Sequence, residues 1–176
     1  MAAGNEKIIA IFGSGKTPED DPVFEFAESI GRALASAGFT IINGGYNGTM
    51  LASAKGATSV GGKVTGVTCT AFGRSGANKY VTDEISTNTL LERLNTLIDT
   101  ADAYVVLPGG TGTLLELAHI WEFKNKRFAD PAKPIIIAGS FWKPLLDILE
   151  SIDPGCSYCV LTVETPEEIV EVCEKL

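Results

Sequence analysis

Apolar and polar positions along the chain alternate between two rhythms. Lys7-Ile-Ile-Ala-Ile-Phe12 is an unbroken apolar run, the pattern of a parallel strand covered on both faces. From Pro22 to Ala37 the apolar positions Phe24, Phe26, Ala27, Ile30 and Leu34 recur at largely helical spacing; Pro22 suits a first turn and Gly38 a stop. A second strand is expected at Thr40-Ile-Ile-Asn43, an alanine-rich helix at Thr49 to Ser59, and a third strand at Lys63 to Thr68. The small and polar stretch from Cys69 to Asn78 reads as a surface loop, and Lys79 to Ile85 as a short strand. Between Asn88 and Thr100 the pattern predicts a helix with Leu90, Leu91, Leu94, Leu97 and Ile98 on one face and Arg93 near its flank. Ala103 to Leu107 is a strand rich in β-branched and aromatic residues, and Thr113 to Lys126 the helix after it. A strand at Pro134 to Ala138, a helix from Pro144 to Leu149, a strand at Cys159 to Val163 and a terminal helix opened by Thr165-Pro-Glu-Glu complete the series.

Strands alternating with helices predict an α/β fold, a single doubly wound (Rossmann-like) parallel sheet with helices on both faces and right-handed crossovers. No linker or repeat interrupts it, so residues 1–176 are expected to form one nucleotide-binding domain. Three glycine turns follow strands: Gly13-Ser-Gly15, Gly44-Gly45-Tyr-Asn-Gly48 and Gly109-Gly-Thr-Gly112. In an open parallel sheet all three fall on the carboxyl edge, where ligands bind. A glycine turn between strand and helix aims bare amides at one point, a geometry that binds phosphate or another anion.

Composition narrows the partner. The formal charge of −8 disfavours a nucleic-acid backbone, which needs clustered Lys and Arg. No apolar run approaches the roughly 18 residues that span a bilayer, and Met1 to Glu6 lacks the features of a secretory signal, so a cytoplasmic location is expected. Cys156-Ser-Tyr-Cys159 has the spacing of half a zinc or redox site, but no second pair completes it. The four cysteines therefore read as reduced structural thiols. Neither a metal nor a cofactor is called for.

Spacing also excludes two familiar uses of glycine. Gly15-Lys16-Thr17 resembles the end of a Walker A loop, yet its first glycine would fall at Ala10 inside a strand. A dinucleotide fingerprint would need glycine at Pro18. The chemistry-bearing candidates are Glu116 and Arg93. Thr113-Leu-Leu-Glu116 is also the pattern of a capping box, and Arg93 could be a solvated flank.

Pro108-Gly-Gly-Thr-Gly-Thr-Leu-Leu-Glu116 matches the P-G-G-x-G-T-x-x-E signature of the Lonely Guy family, which the chain resembles from about Ile8 to Leu149. Arg93 stands before Asp102-Ala103 as that family's arginine does, and Gly44-Gly45-x-x-Gly48-x-Met50 is similar to its other glycine motif. The resemblance implies hydrolysis of the N-glycosidic bond of a nucleoside 5′-monophosphate, AMP-like or a cytokinin nucleotide, to free base and ribose 5-phosphate. It implies Arg93 and Glu116 as the catalytic pair and Gly110 to Thr113 as the phosphate loop. Gly13, Ser14, Gly44, Gly45, Gly109, Gly110, Thr111, Gly112 and Thr113 are the expected substrate and phosphate contacts. It further implies a homodimer or higher homo-oligomer, with the site near the subunit interface. Departures are Leu94, where a lysine is usual, Leu90 for a methionine, and His119, where an acid is frequent. The lysine decarboxylase label attached to such sequences fails, because no His-Lys pair or other pyridoxal phosphate apparatus is present. The alternative is a non-catalytic carrier of nucleotide or molybdenum cofactor. A third reading is a partner-binding domain, with Ile120, Trp121 and Phe123 as core or as a dimer seam.

Overall fold

The computed structural model describes residues 6–128 and 132–176. Its strands are the apolar runs: β1 (Ile8–Phe12), β2 (Thr40–Asn43), β3 (Val64–Cys69), β4 (Asp83–Thr87), β5 (Ala103–Val106), β6 (Ile135–Ala138) and β7 (Val160–Val163). All pair in parallel in one sheet of order β4-β3-β2-β1-β5-β6-β7. The order reverses between β1 and β5, where Ile9 to Phe12 lie opposite Ala103 to Val106. The carboxyl ends of these two strands therefore border the crevice that such a sheet opens to ligands.

The helices are α1 (Pro22–Ser36), α2 (Thr49–Thr58), α3 (Leu90–Thr100), α4 (Thr111–Asn125), α5 (Lys143–Ile152) and α6 (Pro166–Cys173). Alternate residues of the central strands supply two cores. Ile9, Ile11, Val105 and Ile136 pack under α1, α2 and α6, while Ala10, Phe12, Tyr104, Val106 and Ile137 pack under α3, α4 and the start of α5. That division makes the sheet doubly wound, as its apolar strands predict. Asp21 caps α1 by accepting from the Val23 amide, and Thr165 and Glu168 form a reciprocal box at α6. Met1 to Asn5, most of the stretch read for a signal, lies outside the described residues. Among the described residues no helix is long and apolar enough to cross a membrane.

Several expectations need correction. The fourth strand begins at Asp83 and runs to Thr87, paired along β3, rather than spanning Lys79 to Ile85. The stretch after β3 is not all loop, since Thr70–Phe72 makes one 3-10 turn. In α3, Leu90 and Leu91 are 45% and 64% exposed, whereas Arg93 is only 8% exposed. The buried stripe runs through Arg93, Leu94, Leu97 and Ile98, because the guanidinium has partners inside the sheet edge. In α4, Ile120 and Trp121 are core while Phe123 is exposed.

Candidate active site

The three glycine turns meet at the carboxyl edge and are tied together by backbone. The Ser14 amide donates to the Pro108 carbonyl at 3.2 Å, and the Thr49 amide donates to the Ser14 carbonyl at 2.9 Å. They border a cavity of about 450 Å³, within the range of small-molecule sites. Of the expected contacts, Gly13, Ser14, Gly110, Thr111, Gly112, Thr113, Arg93 and Glu116 line it. Gly44, Gly45 and Gly109 do not. They stand behind the wall, where a Cβ on Gly44 would lie 1.7 Å from Arg93 Nη2 and one on Gly109 would lie 2.2 Å from Thr113 Oγ1. Gly110 and Gly112 differ: a Cβ on either would meet nothing within 4 Å. Their lack of a side chain keeps the cavity open rather than serving packing.

Helix α4 starts at Thr111 with Gly110 as its cap, and no side chain caps it. The first amide to find an acceptor is that of Leu114, which donates to the Gly110 carbonyl at 2.9 Å. The amides of Thr111, Gly112 and Thr113 have no acceptor among the described residues, and they carry the positive end of the helix dipole. The capping-box reading of Thr113 to Glu116 is therefore corrected. The helix begins two residues earlier than its apolar pattern indicates, so Glu116 falls in the second turn, beyond reach of the cap.

Glu116 is instead a largely buried acid, its side chain 13% exposed, with Oε1 3.9 Å from Arg93 Nη1. Burial raises its pKa to about 7, and the attraction of Arg93 offsets only part of that. No described residue donates a hydrogen bond to its carboxylate beyond that loose pairing. Arg93 is held hard: Nε donates to the Val67 carbonyl at 2.8 Å and Nη2 to the Gly44 carbonyl at 3.2 Å. Its guanidinium lies 5.7 Å from the ring centroids of both Tyr46 and Phe72. Desolvation lowers its pKa and Glu116 raises it, but an arginine remains a cation at neutral pH.

Sequence reasoning missed the cavity's other wall, which includes Lys16, Tyr46, Met50, Phe72 and Arg74. Tyr46 sits inside a glycine turn, and Arg74 is the sole charged residue between Cys69 and Asn78, which were the available signals. His119 stacks on Phe123 at 4.2 Å, away from the cavity lining. The 3-10 turn Cys156–Cys159 and the other cysteines carry free thiols. Among the described residues no group of three or more His, Cys, Asp or Glu could hold a metal.

Comparison with known proteins gives this geometry a lineage. The chain is 30% identical over 152 residues to an uncharacterized protein of Archaeoglobus fulgidus, covering 86% of this chain and 93% of that one. It is 36% identical over 107 residues to the cytokinin riboside 5′-monophosphate phosphoribohydrolase of Mycobacterium tuberculosis, covering 60% of this chain and 57% of that one. The match thus spans little more than half of that enzyme. The molybdenum cofactor binding protein of Rippkaea orientalis superposes with a TM-score of 0.79 at 23% identity over 97% of each chain, a likeness of fold alone. Residues 6–140 match the SLOG cluster4 family, in keeping with the Lonely Guy resemblance, and the chain belongs to that family.

Proposed function

We propose that the protein hydrolyses the N-glycosidic bond of a nucleoside 5′-monophosphate, releasing free base and ribose 5-phosphate. One observation carries this reading: a buried, uncapped Glu116 paired loosely with Arg93 shares one cavity with three unpartnered helix amides. The amides suit a phosphate remote from the bond that breaks, so binding there orients the ribose. As the bond from C1′ to the base nitrogen breaks, its electron pair leaves with the base and oxocarbenium character builds on the sugar. Ionised Glu116, itself largely buried, stabilises that charge, and it is poised to take a proton from the attacking water. The water oxygen bonds to C1′ and keeps one proton as the new hydroxyl, and the proton taken up by Glu116 passes to the departing base nitrogen, so that one water adds across the bond. Arg93, fixed to Gly44 and Val67, keeps Glu116 oriented.

The relatives named as phosphoribohydrolases support the same reading. A carrier would use the turns equally well, but it has no need of an acid raised to about 7 beside a buried arginine. We further propose a homodimer, in which exposed Leu90 and Leu91 of α3 and Leu114 and Leu115 of α4 lie against a second copy. The four free thiols suit a reducing cytoplasm. The test is incubation with a panel of nucleoside monophosphates, following ribose 5-phosphate. Release from at least one is expected. No release from any, alongside tight binding of a phosphorylated ligand, refutes hydrolysis and favours the carrier.

A further inference from the structure

Four charged side chains border the cavity: Lys16, Arg74, Arg93 and Glu116. Three are cations facing one acid, in a chain whose formal charge is −8. The Nε–Nη2 edge of Arg93 is already committed to the protein. Two of its nitrogens donate to backbone carbonyls, and the third faces Glu116. Arg74 is the opposite case. Its nitrogens make no hydrogen bond or ion pair among the described residues, and its guanidinium lies 5.0 Å from the Tyr46 ring centroid.

That ring is a rigid platform. Tyr46 is buried, and its hydroxyl accepts from the Cys69 amide at 2.8 Å and donates to the Cys69 carbonyl at 3.3 Å. Two guanidinium groups, Arg74 and Arg93, thus rest against one aromatic ring with a single carboxylate between the cavity walls. Like charges gathered in this way are favourable only when an anion joins them. Arg74 stands between Gly73 and Gly76, both at positive φ, a conformation glycine adopts at no steric cost.

We propose that Arg74 is the side chain that grips the phosphate of the ligand, closing over it against the free amides of Thr111 to Thr113. Arg93 is thereby left to serve Glu116. Arg74 is a specificity residue, selecting a phosphorylated ligand over the same ligand without phosphate. The identity of that ligand rests on the hydrolytic reading above, but the grip on phosphate can be measured without it.

Titration calorimetry of the wild type, Arg74→Ala and Arg74→Lys with inorganic phosphate, AMP and adenosine provides the test. Charge-assisted bidentate contacts are strong, so Arg74→Ala should weaken AMP and phosphate about 10- to 100-fold and leave adenosine unchanged. Arg74→Lys should fall between, since an ammonium keeps the charge but not the fork. Because Arg74 is exposed, the melting temperature of both variants should match the wild type. Unaltered phosphate and AMP affinity in Arg74→Ala overturns the proposal. So does an equal loss for adenosine, or a wild type that binds neither phosphate nor AMP. If no nucleotide releases ribose 5-phosphate while Arg74→Ala still loses phosphate, the hydrolytic reading falls and the role of Arg74 stands. Hydrolysis with unaltered phosphate binding gives the reverse.

Discussion

Glutamine at position 116 keeps the outline of the buried acid and removes its ionisation. Burial raises Glu116 from its ordinary 4.5 to about 7, and Arg93 at 3.9 Å recovers only part of the cost. A folded-state value above the unfolded one means that the fold retains a proton the unfolded chain gives up. The corresponding stability is complete below about pH 4.5, declines as pH rises, and is lost once pH passes about 7. At about 1.4 kcal/mol per unit the loss is roughly 3 kcal/mol. For a chain of this size that corresponds to roughly 6–12 °C in Tm. Glu116→Gln has no proton to lose. Its Tm relative to wild type should therefore climb by about that much between about pH 4.5 and about pH 8.5, read by differential scanning fluorimetry in matched buffers. Over the same range wild-type kcat should rise through about pH 7 as the carboxylate ionises. The variant should be slower by roughly 10²–10⁴-fold and show no such rise. A Tm difference that stays constant with pH, or that shrinks as pH rises, refutes the account of Glu116 as an under-compensated buried acid.

Gly44→Ala places a methyl 1.7 Å from Arg93 Nη2, so the guanidinium must leave its carbonyl. Ribose 5-phosphate release should drop at least about 10-fold, with a stability loss of about 1–3 kcal/mol in urea unfolding. Gly110→Ala meets nothing, and the Gly110 φ of −93° suits alanine, so Tm should hold or rise slightly. Its methyl projects where ligand belongs, and AMP affinity measured by calorimetry should fall by about 10-fold or more. Leu91→Glu puts a charge on the exposed face of α3, and sedimentation velocity should show a smaller species than wild type.

The sheet was legible in the chain because parallel strands covered on both faces must be apolar throughout, and β1, β5 and β6 are. The edge bearing the site was legible too, since three turns after three strands share one side by topology alone. What spacing cannot register is which of two adjacent helical stripes faces the core. In α3 the leucine pair at 90 and 91 looks apolar and is exposed, while Arg93 looks polar and is buried through bonds to Val67 of β3 and to Gly44 after β2, both far away in sequence. The Thr113 to Glu116 pattern misleads for a related reason: a capping box depends on where the helix begins, and Gly110, a cap residue without a side chain, sets that here. Phe72 and Arg74 reach the cavity only through the path of the loop after β3, which no local pattern specifies.

Because the cation of the pair is bolted to Val67 within β3 and to Gly44 just beyond β2, the two members are not equally expendable. A lineage that abandoned catalysis could drop the acid and become sturdier at neutral pH, whereas dropping the arginine would unpin α3 from the sheet. Among relatives that share this architecture, survival of the arginine thus says little about turnover. On the hydrolytic proposal, the acid is kept against its own thermodynamic disadvantage because turnover requires it.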